Sequence, residues 1–213
     1  MSNKQGSKSA PQHAAKRVPR AAPAQQVRII GGLWKRTPLP VLAADGLRPT
    51  PDRVRETVFN WLNHLLDGGW SNIACLDLFA GTGALGFEAA SRGAARVVMV
   101  EVNTPAMRQL EITKEKLHAE QVSILRSDAL SFAQKTAGAF HVIFLDPPYE
   151  QGWLPKLLPL CERLLVADGL VYAESEMPLT PESAPDWLAG WKVIRADKAG
   201  MVFYHLLQRE KLP

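Results

Sequence analysis

Strand-like apolar runs and helix-like segments alternate along most of this chain, and that alternation limits its fold more than any other feature. The strand patterns cover residues 73–77, 96–100, 122–125, 142–145 and 169–173, and helix patterns follow at 84–91, 105–120, 129–136 and 153–165. Alternation of this kind predicts a parallel sheet with right-handed crossovers. Two further strand patterns, 191–196 and 201–207, flank Lys198, Ala199 and Gly200. We expect this hairpin to insert one antiparallel strand into the sheet.

The fourth strand pattern runs into Asp146, Pro147, Pro148 and Tyr149. Two prolines in succession cannot continue a central strand, because proline has no backbone N–H and its φ angle is fixed. The chain therefore turns at the expected carboxyl end of the strand. Open α/β sheets bind their ligands at that edge.

This tetrapeptide offers the groups needed to hold an amine. Asp146 and the carbonyl oxygen of Pro147 are two acceptors for an amino group with two N–H donors. Tyr149 presents a ring on which a planar base could stack. Together these groups predict a site for the exocyclic amine of a flipped or single-stranded base. The alternative is an ordinary surface turn that happens to contain an aspartate and a tyrosine.

A glycine-rich turn follows the first strand pattern. Gly81, Gly83 and Gly86 fit the G-x-G-x-x-G spacing, in which glycines allow a ligand to approach the backbone closely. The spacing alone does not distinguish a dinucleotide from S-adenosylmethionine. Asp77, at the end of the strand, favours S-adenosylmethionine, because a carboxylate would repel a pyrophosphate but suits the ammonium group of a methionine.

Acidic residues also follow the next two strand patterns. Glu101 lies a little over 20 residues beyond the start of the glycine turn, a position from which an acid holds ribose hydroxyls. Asp128 and Ala129 follow the third strand. Asp128 has two interpretations: it contacts the amino group of an adenine, or it only caps the helix at 129–136.

Positive charge is concentrated at the front of the chain. The first 44 residues contain eight lysines and arginines and no acid, whereas the part from Val58 onward has a net charge of −4. Residues 1–26 have almost no large apolar group, so we expect a disordered basic tail. Such a tail can bind nucleic-acid phosphates, but an inert tail and a transit peptide have a similar composition.

The segment from 27 to 66 predicts a small hairpin followed by a helix. Thr50 is expected to cap this helix and Pro51 to occupy its first position, with apolar residues at helical spacing to about Leu66. Basic residues beside an aromatic ring are typical of RNA contacts. The candidates for RNA contact are Arg28, Trp34, Lys35, Arg36, Arg48, Arg53 and Arg55. Ordinary surface charge is the alternative.

Several classes of protein are disfavoured by what the sequence lacks. No apolar run approaches the roughly 18–20 residues that span a bilayer, and no secretory signal is evident, so we expect a cytoplasmic protein. Cys75 and Cys161 lie in separate apolar segments and are expected to be reduced core thiols. The five histidines are scattered without ligand spacing, and we therefore expect no metal site.

Several of these motifs resemble those of known methyltransferases. Asp77 to Gly83 is similar to motif I of class I methyltransferases, and Asp146 to Tyr149 resembles motif IV of amino-methyltransferases that act on nucleic acid. With Arg28 to Gly32 and the segment from Arg48 to Leu62, the chain over about residues 27–208 resembles the RsmD family of small-subunit ribosomal RNA guanine-N2 methyltransferases.

The resemblance implies a class I, Rossmann-like fold. This fold has a mostly parallel seven-stranded sheet with an antiparallel last strand, here joined to a small N-terminal hairpin. We expect the chain to have three parts, which are the tail at 1–26, the hairpin and helix at 27–66, and a methyltransferase domain at 67–213.

The resemblance also implies S-adenosylmethionine as cofactor and an assembled or assembling small subunit with its 16S rRNA as partner. The target that the resemblance implies is guanine 966. We expect the protein to be a monomer that binds neither a membrane nor a metal. The resemblance assigns Asp146, Pro147 and Tyr149 to catalysis. The implied cofactor-binding residues are Asp77, Phe79, Gly81, Gly83, Glu101, Asp128 and Ala129.

Other functions remain open from the sequence. An amino-methyltransferase acting on adenine N6 or another amine, in DNA or RNA, would use the same tetrapeptide. A ribosome-assembly factor could bind RNA through the same fold without catalysis, since fold alone does not prove chemistry. A nicotinamide-dependent dehydrogenase would leave Asp77 and the tetrapeptide without a role.

Overall fold

The structure is a computed structural model, and it describes residues 27–42, 50–149, 151–180 and 186–210. The strands are β1 (Val27–Arg28), β2 (Pro38–Leu39), β3 (Ala74–Asp77), β4 (Arg96–Glu101), β5 (Val122–Arg126), β6 (Phe140–Leu145), β7 (Leu165–Ser175), β8 (Trp191–Ala199) and β9 (Val202–Arg209). The α-helices are α1 (Asp52–Leu65), α2 (Ala84–Ser91), α3 (Thr104–Leu117), α4 (Ala129–Lys135) and α5 (Trp153–Leu164). The basic tail predicted at 1–26 lies outside the described residues.

Seven strands form the central sheet in the order β5-β4-β3-β6-β7-β9-β8. The first five are mutually parallel, while β9 inserts antiparallel between β7 and β8. This is the sheet of the class I methyltransferase fold, and the prediction of one inserted antiparallel strand is confirmed. The strand order reverses between β3 and β6, which places a ligand crevice beside their carboxyl ends.

Helices cover both faces of the sheet, and successive strand residues point to opposite faces. Cys75 and Phe144 pack in the cluster that includes α1, α2 and α3. Leu76 and Ile143 pack in the cluster that includes α4 and α5. The central strands are therefore apolar throughout, which explains why they read as continuous apolar runs in the sequence.

The N-terminal hairpin docks on the end of α2. The backbone N–H groups of Ile30 and Gly31 donate to the buried carboxylate of Glu88 at 2.6 and 2.9 Å. Gly32 has φ +73°, and a Cβ there would lie 1.9 Å from the backbone oxygen of Ser91. Only glycine permits so close an approach. The antiparallel pairing of β1 with β2 confirms the hairpin predicted from the sequence.

The start of α1 differs from the expectation. The helix begins at Asp52 with Pro51 as its N-cap residue, and Thr50 does not cap it. Thr50 instead points its hydroxyl at the carboxyl groups of Asp146 and Glu174. The prediction of a threonine cap is therefore wrong, because a side chain that bonds distant strands is not available to the helix amides.

Both cysteines are free and buried, as expected. Burial raises the pKa of Cys75 well above the usual thiol range and that of Cys161 to about 12, so both remain protonated thiols. Within the part of the chain that the structure describes, no helix has the length and apolar character to cross a membrane.

Candidate active site

Five acidic residues meet at the carboxyl edge of the parallel strands. They are Asp77 at the end of β3, Glu101 at the end of β4, Asp128 after β5, Asp146 after β6 and Glu174 near the end of β7. Parallel strands in a single sheet bring their carboxyl ends to one edge. The sheet therefore assembles residues that lie far apart in the sequence.

The glycine turn connects β3 to α2 beneath this edge. Gly81 and Gly83 have φ angles of +50° and +78°, a region that favours glycine. A Cβ on Gly83 would lie 2.5 Å from the ring of Phe87, so the turn excludes a side chain at this position. Gly81 and Thr82 are half-buried, so the backbone of the turn is partly accessible to a ligand at these two residues.

Asp77 is buried, with only 1% of its surface exposed. Its carboxylate accepts hydrogen bonds from the N–H groups of Phe79 and Gly86, at 3.3 and 3.2 Å. Burial raises the pKa of Asp77 to about 7, although the two backbone donors lower it and the charge of Glu101 raises it further. A bound cation would favour the ionised form, so this position suits an ammonium group.

Glu101 holds the glycine turn and the start of α3. Its two oxygens accept hydrogen bonds from the N–H groups of Gly81 and Asn103, at 2.8 and 2.7 Å. Each carboxylate oxygen has two lone pairs, so both oxygens can still accept a hydroxyl donor. The residue is therefore compatible with ribose hydroxyls.

Asp128 is the N-cap of α4. Its Oδ1 accepts a hydrogen bond from the Ser131 N–H at 2.9 Å, and Ala129 is buried as the first residue of the helix. The capping interpretation is thus confirmed, and a contact with adenine stays a prediction. The ring of Phe79 packs edge-on against Trp153, with 5.4 Å between the ring centres.

The tetrapeptide emerges from the end of β6. Pro147 is buried, while Pro148 and Tyr149 are exposed, with 43% of the tyrosine accessible. Tyr149 follows Asp146 by three residues, so its partly exposed ring belongs to the same segment as the carboxyl group. Asp146 Oδ2 accepts a hydrogen bond from the hydroxyl of Thr50 at 2.9 Å.

Thr50 and Glu174 also lie at this site, although the sequence motifs assigned a functional role to neither residue. The Thr50 Oγ1 lies 2.9 Å from Glu174 Oε1, which also accepts a hydrogen bond from the Tyr172 hydroxyl at 2.7 Å. Only 3% of the surface of Glu174 is exposed. A signal for Glu174 was present, because an acid ends the apolar run at 169–173 as Asp77 and Asp146 end theirs. No local signal points to Thr50.

The predicted RNA-contact residues differ in how much of their surface is exposed. Arg28, Lys35 and Arg36 are exposed and line a cavity of about 420 Å³ between the hairpin and α1, and Arg53 is exposed on α1. Trp34 is half-buried and packs on the core. Arg48 lies outside the described residues.

The structure corrects the prediction that Arg55 contacts RNA. The Arg55 side chain is fully buried, and it is paired with Asp52 at 2.7 Å and donates to the backbone oxygen of Arg28 at 2.8 Å. A guanidinium enclosed in this way cannot contact RNA. The side chain of Arg55 thus links the hairpin to the first turn of α1.

Comparisons with known proteins agree with this geometry. The model of a family described as "Conserved hypothetical protein 95" matches residues 27–208. The Ribosomal RNA small subunit methyltransferase D of Escherichia coli strain K12 is 41% identical over 187 residues, covering 87% of this chain and 91% of that protein. The protein of the same name from Haemophilus influenzae is 38% identical over 192 residues, covering 86% of this chain and 94% of its own length.

A solved structure extends the likeness to three dimensions. The Escherichia coli protein yhhF is 39% identical and superposes with a TM-score of 0.75, covering 87% of this chain and 99% of that one. The family model spans the N-terminal hairpin and all of the central sheet except its last residue. The tail at 1–26 lies outside the residues that the family model matches.

Proposed function

Because this chain belongs to the RsmD-type methyltransferase family, we propose that it methylates small-subunit ribosomal RNA with S-adenosylmethionine as the methyl donor. The acceptor would be the exocyclic N2 amine of one guanine, with guanine 966 of 16S rRNA as the target implied by family resemblance. The substrate would be an assembled or assembling subunit, and the enzyme a cytoplasmic monomer. The observation that carries the proposal is the position of Asp146 and Pro147 at the same sheet edge as the glycine turn.

The residues around the glycine turn fit this cofactor. Asp77 has no cationic partner among the described residues and would hold the ammonium group, while Glu101 would accept the ribose hydroxyls. The bound cofactor would supply a methyl group on a sulfonium sulfur, whose C–S electron pair stays on sulfur as the new N–C bond forms. Asp128 and Ala129 would border the adenine, and Phe79 the neighbouring wall.

Asp146 and Pro147 would position the amine. An aromatic amine is a weak nucleophile, because its lone pair is delocalised into the ring. Two acceptors that hold the two N–H groups would direct that lone pair at the methyl group, and Tyr149 would hold the base by stacking. Positioning of this kind accounts for most of the expected acceleration. The charge of Asp146 would stabilise the positive charge that develops on nitrogen, and its carboxylate would take the released proton.

The decisive experiment supplies labelled S-adenosylmethionine with three substrates. These are small subunits that lack the modification, the same RNA without protein, and duplex DNA. Nucleoside analysis then identifies the product. Label in N2-methylguanosine from the small subunit is the expected result.

Two other results would overturn the proposal. Label recovered as N6-methyladenine from DNA would identify an adenine methyltransferase instead. Tight cofactor binding without label in any substrate would favour a non-catalytic role in ribosome assembly. A parallel reaction with Asp146→Ala controls for a contaminating methyltransferase.

A further inference from the structure

The hydroxyl of Thr50 lies between two carboxyl groups at the active edge. Its Oγ1 is 2.9 Å from Asp146 Oδ2 and 2.9 Å from Glu174 Oε1. Thr50 and Glu174 are both buried, whereas Asp146 is half-buried. The mechanism above uses Asp146 alone and leaves Glu174 without a role.

A hydroxyl group carries a single hydrogen, which limits how these three residues share protons. If Thr50 donates to one carboxyl group, its oxygen must accept from the other, and only a protonated carboxyl group can donate. Both contacts are therefore satisfied when the two carboxyl groups hold one proton between them. Burial raises the pKa of both Asp146 and Glu174, and the charge of Glu174 raises that of Asp146 further, in agreement with one shared proton. A hydrogen bond between the two carboxyl groups raises the pKa of Asp146 and lowers that of Glu174, so the proton lies on Asp146 before an amine binds.

We propose that Glu174, acting through the hydroxyl of Thr50, is a positioning residue that holds this shared proton while Asp146 binds the amine. This inference rests on the proposed function. An amine N–H that reaches Asp146 favours the form in which Glu174 is protonated. Glu174 then donates to Thr50 Oγ1, and Thr50 donates to Asp146 Oδ2.

This arrangement leaves the other oxygen of Asp146 for the amine. The nitrogen loses one proton after it gains the methyl group, and Asp146 accepts that proton. Asp146 and Glu174, the carboxyl pair, then hold two protons between them, and one proton passes to water as the product leaves. The pair returns to its starting state, and no other reactant is needed.

The groups that face the pair are mainly acidic or neutral. Asp77 on β3 adds negative charge toward Asp146, and the buried Tyr172 on β7 donates to Glu174. Tyr204 on β9 lies near Tyr172, and its hydroxyl donates to Asp197 on β8. The cation Arg55 donates to the backbone oxygen of Thr50 at 3.4 Å, but it is paired with Asp52. One negative charge at the pair is therefore favoured over two.

The first test measures kcat for small-subunit methylation as a function of pH. In the wild type, kcat should fall at high pH, when Glu174 ionises and competes with Asp146 for the Thr50 hydrogen. Glu174→Gln should remove that fall, because glutamine cannot ionise and its amide can still donate to Thr50. Thr50→Val should lower kcat about tenfold, the effect of losing one hydrogen bond to a charged group, and Thr50→Ser should restore it.

Matched variants control for general damage to the fold. Thr113→Val removes a buried hydroxyl that bonds only within α3, and Glu162→Gln neutralises an exposed acid on α5. Neither should change the pH profile. A purely structural role for Glu174 would lower kcat at every pH without removing the fall at high pH, and that result would overturn the proposal.

The second test does not depend on activity. Carbon NMR of the labelled carboxyl groups in the ligand-free protein should show the pair titrating in two steps, the upper one well above the usual carboxyl range. Glu174→Gln should abolish the upper step. A single step near the ordinary values in the wild type would overturn the shared proton, even if methylation is confirmed.

The two proposals therefore fail separately. No methylation of any substrate would overturn the proposed function, and the NMR titration would still decide whether the proton is shared. A changed pH profile in Glu174→Gln with no effect of Thr50→Val would overturn the bridging role of Thr50.

Discussion

At the scale of single residues, the site depends on carboxyl groups whose surroundings differ. Asp77 is enclosed by backbone donors, whereas Asp146 shares a hydroxyl with a second acid. Burial raises the pKa of both. The same type of side chain thus lies in two different environments, and each of the two proposed roles has its own test.

Replacing Asp146 should separate catalysis from cofactor binding. We expect Asp146→Ala to reduce methyl transfer by about a hundredfold to ten-thousandfold, because the amine loses an acceptor and a base. The affinity for S-adenosylmethionine, measured by calorimetry, should stay nearly unchanged. Turnover equal to that of the wild type would exclude the role of Asp146, and Glu162→Ala is the matched control on an exposed acid.

Asp77 should make cofactor binding depend on pH. Its pKa is raised to about 7, so the carboxyl group is mostly neutral below that pH and must lose a proton to pair with an ammonium group. Affinity should therefore weaken about tenfold for each pH unit below 7, measured by calorimetry between pH 5.5 and 7. Asp77→Asn should bind more weakly with little pH dependence. A flat profile in the wild type would remove Asp77 from the cofactor site.

At the scale of elements, the N-terminal hairpin is joined to the core by buried charge. Glu88 on α2 accepts two hairpin amides and pairs with Arg92 at 2.8 Å, while Arg55 on α1 bonds to the backbone of β1. Buried charges that lose a partner are strongly destabilising. The hairpin is therefore part of the folded unit, whatever its role toward RNA.

Breaking this anchor should be costly. We expect Glu88→Ala to lower the free energy of unfolding by about 3 kcal/mol or more, because two amides and the guanidinium of Arg92 lose their acceptor. Urea denaturation measures the change. Glu162→Ala removes an exposed ion pair with Arg209 and should change the free energy by less than about 1 kcal/mol. Similar losses in the two variants would contradict the anchoring role of Glu88.

At the scale of the whole molecule, charge is distributed unevenly. The front of the chain is basic and the remainder has a net negative charge. The described part of this basic surface includes Arg28, Lys35, Arg36 and Arg53, which lie on the hairpin and α1 rather than on the far helices. Exposed basic side chains attract nucleic-acid phosphates, so these four residues are the described candidates for RNA contact.

Reversing two of these charges should weaken RNA binding selectively. We expect Lys35→Glu with Arg53→Glu to raise KM for small subunits about tenfold. The slope of the logarithm of the binding constant against the logarithm of salt concentration should become shallower by about two, one for each lost phosphate contact. The affinity for S-adenosylmethionine should not change. Lys116→Glu, at the far end of α3, is the control. An unchanged KM would show that the predicted RNA contacts at these two residues are wrong.

The sequence by itself determined the order of the elements, the edge that carries the site and most of its acids. Strand and helix periodicity is a local property, and so is the break imposed by two prolines or a glycine turn. For this reason Asp77, Glu101, Asp128 and Asp146 could all be located from their positions at strand ends. The inserted antiparallel strand also followed from a local hairpin signal.

The tertiary structure alone decided which side chains meet. Thr50 lies 96 residues from Asp146 and 124 from Glu174, so no local pattern shows that its hydroxyl joins them instead of capping α1. Arg55 reads as one more surface cation until the hairpin covers it. Hydrogen bonds and burial depend on distance in space, and sheet order and helix packing set those distances only after the chain has folded.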